Sequence, residues 1–264
     1  MCWQGNKLDI NKQKVWEECD LKHSDFLRFL SDLVHAAFKG ERAIQNTVAD
    51  RLKHIGLDVE TIQYNPSELS VLQEFASPTR THDCLHTSVV GKLRGNSDHP
   101  SLMLFAQGDT MPVNHSQDSD HNPLPIIENG RLYGWGVSDN LAGVASMIFA
   151  LENILAAGLR PNGDVILAST PSKNRARGII SVLENGGKTD AAIYVHPAEN
   201  GFGLKQIKQA TSGLLSFHIS VPGRPPNTEE PGHTAFHHTS IDPIEKSIII
   251  VQALQAFNAS RGSQ

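Results

Sequence analysis

The chain lacks several features that would place it in a specialised class. No apolar run approaches the roughly 20 residues of a membrane span, so no transmembrane helix is expected. The first residues, Met1 to Lys7, have no apolar core of a secretion signal. Cysteine is scarce: Cys2, Cys19 and Cys84 are the three in 264 residues, and their irregular spacing makes no disulfide framework. A reducing, cytoplasmic setting is the expectation. An excess of basic charge is also missing, since 23 Lys and Arg stand against 28 Asp and Glu for a formal charge of −5. Nucleic acid and anionic membrane surfaces both call for a basic patch, so neither is expected as a partner. No internal repeat is evident.

What is present is an ordinary globular composition, 39% hydrophobic and 19% charged, long enough for one full domain and part of another. Chemistry concentrates between residues 102 and 140. The apolar run Leu102 to Ala106 has strand length and empties into Gln107-Gly108-Asp109, placing polar groups at a strand's carboxyl end, where open α/β sheets carry their sites. After a polar loop with His115 and His121, the segment Asn129 to Asn140 brings Asp139 against the start of an apolar helix.

Periodicity organises the rest. Residues 15–38 predict one helix, with Phe26, Phe29, Leu30, Leu33 and Val34 at spacings of three and four. Ile44, Val48, Leu52 and Ile55 mark a second helix that stops at Gly56, and a strand follows over 57–62. Residues 65–83 read as a surface loop. Residues 87–93 and 101–106 read as adjacent strands joined by a turn at 94–100. A helix over 141–157 closes at Gly158, and the runs at 164–170 and 190–195 read as strands buried on both faces, separated by a helix over 178–184. The second of these strands delivers His196. Strands alternating with helices predict an α/β, doubly wound, mainly parallel sheet over residues 1–210. From 211 to 264 the texture changes to an alternating segment at 213–221, a Pro- and Gly-rich stretch and a helix over 244–257, as at the start of a second, α+β domain.

Three segments carry a family resemblance: Gly-Asp-Thr-Met-Pro-Val at 108–113, Asn-Gly-Arg-Leu-Tyr-Gly-Trp-Gly-Val-Ser-Asp-Asn at 129–140, and Gly-Leu-Arg-Pro-Asn-Gly-Asp-Val at 158–165. In this order they resemble the zinc-dependent family of aminoacylase, acetylornithine deacetylase, succinyl-diaminopimelate desuccinylase and glutamate carboxypeptidase. The resemblance runs from about residue 26 to the end. It implies a doubly wound catalytic domain with two zinc ions bridged by an aspartate, an inserted ferredoxin-like lid that mediates dimerisation, and hydrolysis of an amide in N-acyl amino acids or dipeptides.

Carried over residue by residue, the resemblance fails at the reacting centre. The family's strand end His-x-Asp is here Gln107 and Asp109, and an amide is a poor zinc ligand. The bridging aspartate corresponds to Asp139. The family's Glu-Glu pair, general base and metal ligand, falls on Lys173 and Asn174, and His196 stands where the next strand supplies a carboxylate ligand. His233 corresponds to the lid histidine that reaches substrate. A final ligand histidine has no counterpart before Gln264. This count implies zinc absent or substoichiometric, and a lysine with pKa near ~10.4 cannot replace the base. An ammonium at Lys173 is expected to act as counter-ion to Asp139, shared with Asp109.

Two readings follow. One is a non-catalytic, degenerate member that keeps the α/β domain as a module for a small amide or amino-acid ligand and self-associates through its lid. The other is a metal-dependent amidohydrolase with a reduced site built from Asp139, His196 and Asp109. Beside both stand plainer assignments: Asp109 and Asp139 as structural remnants, His196 as a hydrogen-bonded histidine, and His115, His121 and His233 as solvated surface.

Overall fold

The computed structural model describes residues 5–69, 85–96, 98–108, 124–171, 176–197, 207, 217–230 and 240–261. The chain divides into two compact units, Met1–Gly203 and Leu204–Gln264.

In the first unit the apolar run at 165–170 forms β6 (Val165–Thr170), buried at every residue. It lies at the centre of a five-stranded sheet with order β1-β2-β6-β3-β7, where β1 is Asp58–Tyr64, β2 His86–Leu93, β3 Leu102–Gln107 and β7 Ala191–Tyr194. β3 pairs in parallel with both β6 and β7, whereas β2 pairs antiparallel with β1 and with β6. Four strands therefore run one way and β2 runs against them. The sheet is mainly parallel, as its alternation with helices predicted.

Because side chains alternate across a strand, each buried strand feeds two cores. Val89, Leu93, Ala106, Val165 and Leu167 join one with α2 (His23–Ala37), α3 (Glu41–His54) and α4 (Ala142–Ala156). Val90, Met103, Ile166 and Ala168 point the other way, onto Val182 and Ile179 of α5 (Arg177–Glu184). Helices thus cover both faces.

Three expectations are corrected. Residues 15–38 are not one helix: α1 (Gly5–Leu21) ends before Lys22, whose backbone leaves helical geometry (φ −96°, ψ 7°) as its ammonium meets Glu152 at 3.1 Å, and α2 starts at His23. β2 and β3 are not neighbours, because β6, far later in sequence, pairs between them. β7 is not buried. Every residue of this strand is exposed, Ile193 and Tyr194 included, since it forms the edge of the described sheet. Its start is fastened to β3 by Asp190, whose carboxylate accepts bonds from the Ser101 backbone N–H and hydroxyl, both at 2.7 Å. Those bonds hold its carboxyl below the usual range.

The Asn129–Gly130 dipeptide has positive φ at both residues (51° and 71°), the geometry of the tight turn that joins twisted antiparallel strands. It connects β4 (Ile126–Glu128) and β5 (Arg131–Tyr133) in a separate hairpin.

In the second unit, Arg224 and Ile241 form an isolated antiparallel bridge ahead of α6 (Pro243–Arg261). The strand expected over 213–221 does not form at 217–221, and its earlier residues lie outside the described ones. α6 buries no residue, and Ile244, Ile248, Ile249, Val251, Leu254 and Phe257 are all exposed. Among the described residues no helix is long and apolar enough to cross a membrane.

The helical layer of the first unit is tied by Arg51 of α3. Its guanidinium bonds Asp25 of α2 at 2.5 Å and both oxygens of Glu152 of α4 at 2.8 and 2.9 Å, and it stacks over Phe149 at 4.6 Å. Burial pushes the Asp25 carboxyl up, but the hydrogen bonds and charges of Arg51 and Arg28 together bring it below its ordinary value. A lowered folded pKa means that the stabilisation is complete above the unfolded value of about 3.9 and is lost as pH falls through the folded value. Removing one partner of a largely buried ion pair costs about 3–5 kcal/mol. Arg51→Met is therefore expected to lower unfolding stability in urea by about 3 kcal/mol at pH 7. The part of the loss below pH 4 that Asp25 contributes should vanish in the variant, so an unchanged acid slope would show the triad to be unimportant.

Candidate functional site

Three parallel strands end at one edge of the sheet, β7 two residues short of β3 and β6. Gln107 at the end of β3 is in register with Thr170 at the end of β6, and Phe105 with Tyr194 at the end of β7. Val195 extends the pairing through its N–H to the Phe105 carbonyl (2.9 Å), and His196 follows. From the β4–β5 hairpin the chain returns through Gly134-Trp135-Gly136 into a wide turn, Val137–Leu141, that leads into α4. Asp139 and Asn140 depart from helical angles within it (φ −133° and −144°) and the peptide bond between them is cis. The carboxyl edge of the sheet and the amino end of α4 thereby converge.

Gln107 is 1% exposed and carries the contacts of the site. Its Nε2 donates to Asp139 Oδ1 at 3.3 Å. Its Oε1 accepts from the Tyr194 hydroxyl at 2.5 Å and from Asn140 Nδ2 at 3.4 Å. Asn140 Nδ2 also donates to the Val195 carbonyl at 2.7 Å, pinning the end of β7 to the turn before α4. His196 Nε2 lies 3.1 Å from the same Asp139 oxygen. An ionised carboxylate only accepts, so this nitrogen bears the proton. The Tyr194 ring stacks between Phe105 (4.8 Å) and His196 (5.0 Å). Tyr194, Gln107, Asp139 and His196 thus close a ring of contacts. It is buried at Gln107 and open to solvent at Asp139, whose side chain is 50% exposed.

The structure brings together Gln107, Asp139 and His196 of the residues singled out from sequence. Asp109, Lys173, Asn174 and His233 lie outside the described residues, as do His115, His121, Cys2 and Cys84, and with Lys173 the expected counter-ion contact. Two residues of the site, Asn140 and Tyr194, escaped the sequence reading. Asn140 directly follows the bridging-type aspartate in a motif already noted, and Tyr194 sits two residues before His196 on the same strand; both signals are adjacency to a residue of interest.

The donor set decides what such a ring can hold. Zinc takes three or four His, Cys or carboxylate ligands. Here an imidazole and a carboxylate are joined by two carboxamides and a phenol, and among the described residues no three His, Cys, Asp or Glu cluster. These residues do not fit a two-zinc centre. What they offer is an exposed carboxylate held by two N–H donors, beside a stacked imidazole.

Comparison with known proteins gives a coherent neighbourhood. The model of the Peptidase family M20/M25/M40 matches residues 103–256. The chain is similar to a succinyl-diaminopimelate desuccinylase of Alkalilimnicola ehrlichii, 25% identical over 80% of this chain and 51% of that protein. It is also similar to the N-formyl-4-amino-5-aminomethyl-2-methylpyrimidine deformylase of Bacillus subtilis, 28% identical over 61% of this chain and 34% of that protein. Among solved structures, an M20 family metallo-carboxypeptidase from Sulfolobus solfataricus superposes with a TM-score of 0.47 at 20% identity, over 66% of this chain and 36% of that one. The chain spans about half the length of the curated relatives it matches.

The junction of the turn and α4 depends on a glycine. A Cβ at Gly143 would sit 2.2 Å from Asn140 Oδ1 and 2.4 Å from the Val195 carbonyl. Alanine in place of glycine gains about 1 kcal/mol of helix propensity, but overpacking of this kind costs about 1–3 kcal/mol. One of the clashing atoms is backbone, so the steric cost wins. Gly143→Ala is expected to lower urea stability by about 1–2 kcal/mol and to loosen the bond from Asn140 Nδ2 to the Val195 carbonyl, read as faster exchange of the Asn140 side-chain amide hydrogens. A stabilised variant would show that the turn yields freely.

Proposed function

Since the chain belongs to the Peptidase family M20/M25/M40, we propose that it is a member that does not hydrolyse amides efficiently and that keeps its α/β unit as a binding module for a small amide or amino-acid ligand. The observation that carries this reading is the Gln107 carboxamide. It stands at the strand end beside Asp139 and is hydrogen-bonded on both sides, to the carboxylate through its nitrogen and to Tyr194 through its oxygen.

The residue types around it support the same conclusion. By the resemblance, Lys173 and Asn174 stand where a general base and a further metal ligand would be required. A lysine ammonium, protonated up to a pH of about 10.4, does not take a proton from water near neutrality. Zinc, which the resemblance implies, is then absent or substoichiometric. Asp139 and His196 remain as polar contacts for a ligand, the carboxylate accepting from an ammonium or amide N–H. Residues 211–264 serve in this reading as the start of a lid, in which His233 falls, by the resemblance, at the position of the histidine that reaches substrate.

α6 supports self-association. Its apolar positions are not confined to one stripe, since Ile248 and Ile249 are successive and both exposed, and a helix apolar on several sides calls for cover. A second copy supplies that cover in this proposal. Sedimentation at micromolar concentration should show dimers or larger species, and a strictly monomeric protein would count against it.

The hydrolytic question is settled by offering the purified chain succinyl-diaminopimelate, N-acetyl amino acids and dipeptides with added zinc or cobalt. Product release at the protein-free rate is expected. Turnover that a chelator stops and Asp139→Asn abolishes would overturn the proposal in favour of an amidohydrolase with a reduced metal site.

A further inference from the structure

His196 Nε2 and Gln107 Nε2 approach one carboxylate oxygen, Asp139 Oδ1, at 3.1 and 3.3 Å. With bonds of about 2.0–2.1 Å, the donor atoms of a tetrahedral zinc site lie about 3.3 Å apart. Each of the two spacings is therefore that of one edge of a zinc tetrahedron. Two edges of the ring thus match those of a zinc site, but one atom is wrong, because an amide nitrogen has no lone pair to give.

The amide is also prevented from presenting its better atom. Turning Gln107 about so that Oε1 faced a metal would point its NH2 group at Asn140 Nδ2, a donor, and would take from the Tyr194 hydroxyl the acceptor it now bonds at 2.5 Å. The stacked Tyr194 ring keeps its hydroxyl at the amide, where it would have to accept from the NH2 group instead of donating. The Gln107 side chain is fully enclosed, and a buried amide facing a donor with its own NH2 group costs about 1–3 kcal/mol. The orientation is thus enforced from outside the residue.

We infer that Gln107 is the residue that withholds zinc from the Asp139–His196 pair, and that Tyr194 is the positioning residue that keeps the amide nitrogen, rather than its oxygen, turned toward the carboxylate. This rests on the non-hydrolytic reading and supplies its physical cause. Two N–H donors occupy the Asp139 oxygen that would otherwise hold the ion, so the pair is held by hydrogen bonds in a metal-refusing arrangement. A single change of donor atom at position 107 completes the site.

Zinc titration by calorimetry, with cobalt absorption as a second readout, tests this on the whole chain. Wild type is expected to show no saturable zinc site at Asp139. Gln107→His should bind zinc at least about tenfold more tightly than wild type, a change of about 1.4 kcal/mol, and should give the intense visible absorption of tetrahedral cobalt. Gln107→Glu, nearly the same size, provides the same test if the histidine variant does not fold. Tyr194→Phe keeps the stack and removes the hydroxyl, and should raise zinc affinity measurably with Gln107 still in place, whereas a merely structural tyrosine would alter melting temperature alone.

Zinc bound by wild type and lost in Asp139→Ala, or folded Gln107→His and Gln107→Glu proteins with no gain, would overturn the assignment. Wild-type turnover without zinc at Asp139 would overturn the non-hydrolytic reading while leaving the role of Gln107 intact.

Discussion

Parallel pairing of β3 with both β6 and β7 is the constraint on which the rest of the first unit depends. Parallel strands in register end at the same edge, so Gln107 and Thr170 arrive together, Tyr194 ends opposite Phe105, and the residues just beyond are forced into one neighbourhood. Parallel strands also need cover on both faces. That requirement accounts for the two separate cores and for the placement of α3 and α4 opposite α5.

The polar ring at that edge is a consequence of burial. Gln107 is enclosed at the end of an apolar strand, where an unpaired amide would be costly, and its oxygen and nitrogen are both used. Pairing it recruits Tyr194 and Asp139, and through Asp139 it reaches His196. One amide at a strand end thus links four side chains by hydrogen bonds. The chemistry of the edge follows from which atom of that amide faces the carboxylate.

Asn140 connects this chemistry to stability. Its amide hydrogen-bonds the backbone after β7 and leans on Gln107, while its oxygen lies against Gly143 in the first turn of α4. The site, the edge strand and the helix therefore share one residue, and changes made for function at this edge are expected to be felt by the fold. At the other end of α4, Glu152 joins Arg51 and Lys22, so the same helix also anchors the helical layer.

Sequence alone determined a good part of this. α3 and α4 could be read from apolar residues at helical spacing and from Gly56 and Gly158 behind them, and β6 from an apolar run too short for a helix. Asp139 and His196 could be named because motif order and strand ends are local properties of a chain. The tertiary structure decided what depends on distant partners. The bend at Lys22 is coupled to an ion pair 130 residues away, and the pairing of β6 between β2 and β3 joins segments that sequence order separates. The exposure of β7 belongs to its place at an edge, which Ala-Ala-Ile-Tyr does not encode. Tyr194, finally, became a site residue only when parallel register set its hydroxyl against the Gln107 amide. A hydrogen bond is a relation between two positions, and no single position carries it.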